Sequence, residues 1–264
     1  MSRRVAAWTL GLSLAAAIAW MILSPYLFQA EPYASLLAEG GTALFCAVGA
    51  AALCLGMRVP LTHRPRFGRT PLAVVASVAI LAVGVNTFPF LAVLFGDARV
   101  SAPLPAVLLF AALCLAVACF EELLFRGLLL PLLLSRLPGT PWGRCGAILA
   151  SSAVFGLAHL FNLAAGAGLP ATLLQVGYSF LVGAAAAALY LFSGSILLPI
   201  AFHAVYNLGG MLIPRLGEGH LWDAPTVVLT VVLALIATVL TVASLFLPPN
   251  KPQISPKYQE IDKI

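Results

Sequence analysis

The chain has 264 residues, 62% of them hydrophobic and 9% charged, and a formal net charge of +5. A soluble domain averages about 25% charged residues, so this composition excludes an ordinary soluble globule and defines a polytopic membrane protein with the bilayer as its solvent. The positive balance, which in a soluble protein would point to nucleic acid, follows here from the positive-inside rule, and no nucleic-acid partner is expected.

Arg3 and Arg4 precede an apolar run from Val5 to about Leu27. The run is longer than the roughly 7–15 apolar residues of a signal peptide, so it reads as an uncleaved first span with the N-terminus inside. A short outer loop, Pro25 to Pro32, leads to a second span from about Ala34 to Met57, with Glu39 near its outer end. The Pro-broken basic loop Arg58 to Arg69 is the clearest cytoplasmic marker. A third span covers about Pro71 to Phe95, with Asn86 and Pro89 inside it, and Gly96 to Arg99 forms an outer turn.

The fourth apolar run, Pro103 to Ser135, would be about 50 Å long as one helix. That exceeds a hydrocarbon core of about 30 Å, so it must tilt, break near Gly127 or protrude into the cytoplasm. After an inner loop at Arg136 to Arg144, the fifth span runs from about Cys145 to Leu163. A Gly-rich outer loop leads to the sixth, Ala171 to Phe192, on which Gln175, Tyr178 and Ser179 share a polar edge. Its Gly183 to Ala187 stretch suits close helix packing. A tight turn at Ser193-Gly194-Ser195 precedes a seventh span reaching about Ile213, and Thr226 to Leu247 is the eighth. The expected fold is therefore all-α, a transmembrane bundle of about eight spans with both termini cytoplasmic. Charge agrees: of the 14 Lys and Arg residues, Arg99 and Arg215 alone fall in segments placed outside, and Arg126 lies within a span. The five cysteines have no CxxC or Cys/His spacing and read as small buried hydrophobes.

Against this background the stretch Glu121-Glu122-Leu123-Leu124-Phe125-Arg126 stands out. One acid at the centre of a spanning helix costs about 2.5–3.5 kcal/mol even on a mild insertion scale, so two adjacent ones have partners or work. Glu122 and Arg126, four apart, can pair along their own helix. Glu121 is rotated by about 100° and faces elsewhere. Further polar groups are His159, in Phe155-Gly156-Leu157-Ala158-His159, and the pair His203 and Asn207, one turn apart on the seventh span. Each alone reads as well as interhelical packing glue. Together they concentrate ionisable side chains on three spans and leave the others nearly bare. A carboxylate with a neutral imidazole can deprotonate a water, while an imidazole and an amide can donate to a developing oxyanion. One Glu and two His also make the ligand set of a catalytic zinc. Ser and Cys nucleophiles fit less well, since none stands in a comparable motif.

These residues resemble the CPBP intramembrane proteases, a family that includes the type II CAAX prenyl endopeptidases. The family pattern of EExxxR, FxxxH and HxxxN appears in order as Glu121-Glu122…Arg126, Phe155…His159 and His203…Asn207. The resemblance covers roughly Val100 to Ile213. It implies hydrolysis of a peptide bond within the membrane by a buried water, in a membrane-embedded, membrane-anchored or C-terminally tagged protein or peptide. Carried over, Glu121 is the general base or a metal ligand, His159 helps activate the same water, and His203 and Asn207 hold the oxyanion. Glu122 and Arg126 support the site's shape. If Zn2+ or another divalent metal is bound, Glu121, His159 and His203 are its ligands; the family has been discussed both as metalloproteases and as metal-free, glutamate-dependent enzymes. It also includes bacterial members linked to bacteriocin self-immunity and sorting-tag processing, so a prenylated substrate is not implied.

The expected organisation is N-terminal spans over residues 1–99, the catalytic core over 100–213, an outer loop and last span over 214–247, and a disordered cytoplasmic tail over 248–264. The site is expected near mid-bilayer or toward the cytoplasmic side, in a bacterial inner membrane. A transporter or proton relay is the alternative from another class, although no internal repeat accompanies the site. A catalytically inactive immunity or scaffold protein is the third.

Overall fold

The computed structural model describes residues 2–64, 70–219 and 224–246. The expected tail at 248–264, and the part of the basic loop at 65–69, lie outside the described residues. The fold is all-α apart from two three-residue strands. In chain order the helices are α1 (Arg3–Leu27), α2 (Tyr33–Gly56), α3 (Pro71–Val85), α4 (Phe90–Phe95) and α5 (Leu104–Glu122). A π-helical segment (Leu123–Leu129) joins α5 to α6 (Leu130–Arg136). Then follow α7 (Pro141–Ala158), α8 (Phe161–Ala164), α9 (Leu169–Ser193), α10 (Leu197–Leu216) and α11 (Ala224–Phe246). Strands β1 (Ala98–Val100) and β2 (Gly217–Gly219) pair antiparallel, with Arg99 opposite Glu218.

Among the described residues seven helices are long and apolar enough to cross a membrane, one fewer than the eight expected. The difference lies in the third apolar stretch, where α3 has 15 residues and stops at Val85. Pro89 supplies no N–H and disfavours helix at the residue before it. The polar groups of the break find partners of their own. Thr87 Oγ1 donates to Gly84 O at 2.7 Å, and Asn86 Nδ2 donates to Thr230 Oγ1 at 2.8 Å on α11. The break sits against α10, where Gly209 leaves no room for a Cβ beside Thr87 and Phe88.

The fourth run is a continuous helical rod over Leu104–Arg136, and its irregularity falls near Gly127 as a change of pitch. Pro131 cannot return an N–H to the carbonyl of Gly127. Two side chains from other helices reach the loosened segment. Cys54 Sγ lies 3.6 Å from Leu123 O, and Ser151 Oγ lies 3.5 Å from Phe125 O. Several helix starts are legible as caps. Thr70 and Thr140 accept from the N–H groups of Ala73 and Gly143, each at 3.2 Å and each with Pro next in line. The Thr140 cap starts α7 at Pro141, earlier than expected from hydrophobicity alone.

α9 is the buried centre of the bundle. Its two turns from Ala186 to Phe192 are buried on every side, as expected of a helix apolar all round. α7 and α10 pack against it, and α10 also packs against α5 and α3. α1 and α11 turn apolar faces outward, with Trp8, Leu12 and Val239 among the exposed side chains, as a bilayer solvent allows. Long apolar helices with these faces make the protein a multi-pass integral membrane protein. All five cysteines are free. On the other side of the bundle the loop Pro60–His63 docks on the α9–α10 turn. Tyr190 Oη donates to Pro60 O at 3.1 Å, and Ile196 N donates to Leu61 O at 3.0 Å.

The α7–α9 contact depends on Gly156, where a Cβ would lie 2.8 Å from Val176 O and 3.3 Å from Phe180 N. Because the obstacle is backbone, Gly156→Val should lower the thermal midpoint in detergent, at a cost of about 1–3 kcal/mol or more. Gly177→Ala, with open space around it, should leave the midpoint unchanged or raise it. Equal behaviour of the two variants in thermal scans would show that α7 and α9 do not pack this closely.

Candidate active site

The end of α5 places Glu121 and Glu122 side by side, and the π-helical segment then brings Arg126 back over Glu122. Glu122 and Arg126 are wholly buried. Arg126 Nη1 donates to Glu122 Oε1 at 2.8 Å, the pairing expected from their spacing. The same oxygen lies 2.8 Å from His203 Nδ1 on α10. A carboxylate only accepts, so His203 carries its proton on Nδ1, and Nε2 is turned to Glu121, 3.5 Å from its Oε2. Donation from Nε2 to another group then requires the ring to carry both protons.

His159 is the residue that closes α7. Its Nδ1 lies 3.0 Å from Phe155 O, one turn back, and a carbonyl can only accept. In the neutral ring Nε2 is therefore the basic nitrogen, with Ser179 Oγ 3.5 Å away. Phe155, the first residue of the FxxxH motif, has a structural task. Its ring stands edge-on to His159 and His203, with centroids at 5.2 and 5.8 Å, and the Arg126 guanidinium lies 4.6 Å from its centroid. One aromatic side chain thus spaces the two imidazoles and covers the buried cation with its π face. Gly183 on α9 permits this closeness, since a Cβ there would lie 3.0 Å from both Arg126 Nη2 and Phe155 Cδ1.

Glu121, His159, His203 and Asn207 all line one cavity of about 370 Å³. Glu122 and Arg126 are not on its wall and stand behind it. The cavity has apolar walls from Phe110, Leu113 and Val182, and further polar groups from Asn162, Gln175, Tyr178 and Ser179. It extends to Glu39 on α2 and Arg215 on α10, which form an ion pair across the two helices. Those are the helix ends that the charge pattern marks as outer, so the cavity reaches from the level of Glu121 and His203 toward that end. There α7 tightens into a turn at His159 and continues as the four-residue α8, so that its apolar helical span reaches Ala164, close to the expected Leu163. Sequence reasoning treated Glu39 as an interface residue and passed over Asn162 and Tyr206. Asn162 had one available signal, its place three residues after His159.

Of the zinc-type set, Glu121 Oε2 and His203 Nε2 lie 3.5 Å apart, and the His159 ring contacts Phe155 O and Ser179 Oγ. Among the described residues no three His, Cys, Asp or Glu side chains are disposed to hold a metal ion.

Fold and site together describe a multi-pass helical protein with a carboxylate–histidine cluster at the wall of a cavity that has both apolar and polar sides. Residues 103–209 match the model of the family described as type II CAAX prenyl endopeptidase Rce1-like, and this segment is a domain of that family. All three motifs fall inside it, and the buried cluster of Glu121, Glu122 and His203 is consistent with the family's catalytic residues. Membership implies an intramembrane protease of the CAAX type acting on protein substrates. Comparison with curated proteins and with solved structures gives no match.

Arg126→Ala leaves Glu122 and its bond to His203 in a site with no compensating cation. Breaking a buried pair by removing one partner costs about 3–5 kcal/mol, so the variant should unfold at a lower temperature in detergent and express poorly. Replacing Glu122 and Arg126 together by Leu and Met should restore part of that stability without restoring activity. An Arg126→Ala protein of unchanged thermal stability would place the arginine in the chemistry and not in the scaffold.

Proposed function

We propose that this chain is an intramembrane endopeptidase that hydrolyses a peptide bond of a membrane-anchored or C-terminally tagged protein with a water activated by Glu121 and His159. The observation that carries the reading is the single oxygen of Glu122 that accepts from both Arg126 and His203. It orients the His203 ring so that its far nitrogen meets Glu121 at the cavity wall. A structural polar contact would need no such orientation toward an open space.

The chemistry follows from the groups. A water between Glu121 and His159 Nε2 gives its proton to the Glu121 carboxylate as its oxygen attacks the substrate carbonyl. The carbonyl π electrons move to oxygen. Asn207 Nδ2–H donates to that oxyanion, His203 joins it through Nε2–H in the form that carries both ring protons, and the charge that forms there is what the site is built to hold. Collapse of the tetrahedral intermediate breaks the C–N bond, and Glu121 returns its proton to the leaving amine. His203 is set for its part by Glu122, and Arg126 holds the Glu122 carboxylate in place through its 2.8 Å hydrogen bond. In this reading each step uses the protein's own groups. The apolar cavity walls suit the side chains of a membrane-embedded peptide. The Ala- and Leu-rich composition and short loops support a bacterial inner membrane as the location.

The test is cleavage of quenched, lipid-anchored peptides by the purified full chain in detergent. Glu121→Gln should reduce kcat by about 10²–10⁴-fold with the fold retained, and Asn207→Ala by about 10²–10³-fold with a smaller change in KM. Hydrolysis undiminished in Glu121→Gln would remove the proposed role. Metal analysis of the same active preparation separates the two ways of activating water. Activation by Glu121 and His159 alone predicts full activity at well below one divalent ion per chain. Activity that is lost to chelation and restored by Zn2+ would replace that scheme with a metal-bound water.

A further inference from the structure

The polar edge of α9 continues beyond the groups used in hydrolysis. Gln175 and Ser179, four residues apart, both line the cavity. Ser179 stands against His159, and Gln175 Oε1 accepts a 2.8 Å hydrogen bond from Asn162 Nδ2. Asn162 is itself tied to His159, its backbone N–H donating to the His159 carbonyl at 3.0 Å. The cavity wall therefore carries two polar layers in register, His159 with Ser179 and then Asn162 with Gln175, about 6 Å apart along α9.

Two half-buried carboxamides on a mostly apolar cavity wall gain from finding partners for their polar groups. Their mutual bond uses one donor and one acceptor. Asn162 Oδ1 and Gln175 Nε2 make no other hydrogen bond to a described residue, and both side chains border open volume. Turning both amides over leaves the same complement, one acceptor beside one donor group. That complement matches the N–H and C=O of a single residue in an extended peptide.

We propose that Asn162 and Gln175 form a main-chain-binding subsite that holds an extended substrate beside the hydrolytic groups and so sets which bond reaches Glu121. The proposal rests on the endopeptidase reading for its function, though not for its binding chemistry. A layer spacing of about 6 Å, against about 3.3 Å per residue of extended chain, puts the held residue about two positions from the scissile bond. Because the contacts are to backbone, that position tolerates varied side chains, and selection among sequences falls to the apolar walls.

The experiment measures binding of an N-palmitoylated Ala/Leu octapeptide, and of analogues each N-methylated at one backbone position, to the full-length Glu121→Gln protein in detergent by fluorescence anisotropy. Methylation at one position should weaken binding by about five- to tenfold, the loss of one or two well-placed hydrogen bonds. In Asn162→Leu and in the near-isosteric Gln175→Met, made in the same background, that position should become indifferent while the rest of the profile is kept. A flat profile in the parent, no peptide binding at all, or the same profile in parent and variants overturns the subsite. The unmodified peptide offered to the wild-type chain keeps the two readings apart. Position-selective binding supports the subsite whether or not cleavage occurs, and bound peptide that is never cleaved counts against the endopeptidase reading alone.

Discussion

One carboxylate oxygen, Glu122 Oε1, organises the centre of this protein. It accepts from a guanidinium on its own helix and from an imidazole on α10, each at 2.8 Å and all with almost no access to solvent. Ions taken out of water carry a penalty of several kcal/mol each even after relaxation. Such a cluster persists only where attraction and hydrogen bonds offset that penalty at fixed geometry. Two helices distant in sequence are thereby bonded at one point, and the surface left facing the cavity is set to within a rotamer.

The scaffold around this point is arranged to make it possible. The π-helical segment follows directly on Glu122, a frequent position for such irregularity beside functional groups, and Cys54 and Ser151 attend its loosened carbonyls. Phe155 supplies an aromatic face to Arg126 and an edge to each histidine. The break after α3 abuts α10, with Thr87 Oγ1 3.3 Å from the Tyr206 carbonyl, immediately before Asn207. Residues with no chemistry of their own thus fix the positions of those that have it.

Much of this was legible in the sequence, for identifiable reasons. Charged side chains in an apolar run are conspicuous because the solvent is lipid, and the four-residue spacing of Glu122 and Arg126 maps directly onto a helix face. The partner of Glu122 on α10 was not legible, because which of two adjacent carboxylates a distant histidine meets depends on helix rotation and crossing angle. The third span was misjudged for a related reason. Hydropathy runs on through Asn86 and Pro89, while the break there depends on Thr230 of α11 and on a glycine of α10 that accepts a close approach. The extent of the cavity was not legible either, because its wall is assembled from α2, α5, α9 and α10, and their spacing is set by tertiary packing.

The shortness of α3 has a consequence for the lipid around it. Fifteen helical residues span about 22 Å, against about 30 Å for a typical hydrocarbon core. A hydrophobic segment shorter than its bilayer is accommodated by local thinning, at fractions of a kcal/mol per Å. The polar groups of the break that follows are satisfied inside the protein, Asn86 on Thr230 and the buried Thr87 on Gly84, so they add no polar surface for the lipid to meet. Where the lipid thins to match α3, its aqueous boundary lies closer to the neighbouring α10, the helix that carries His203 and Asn207.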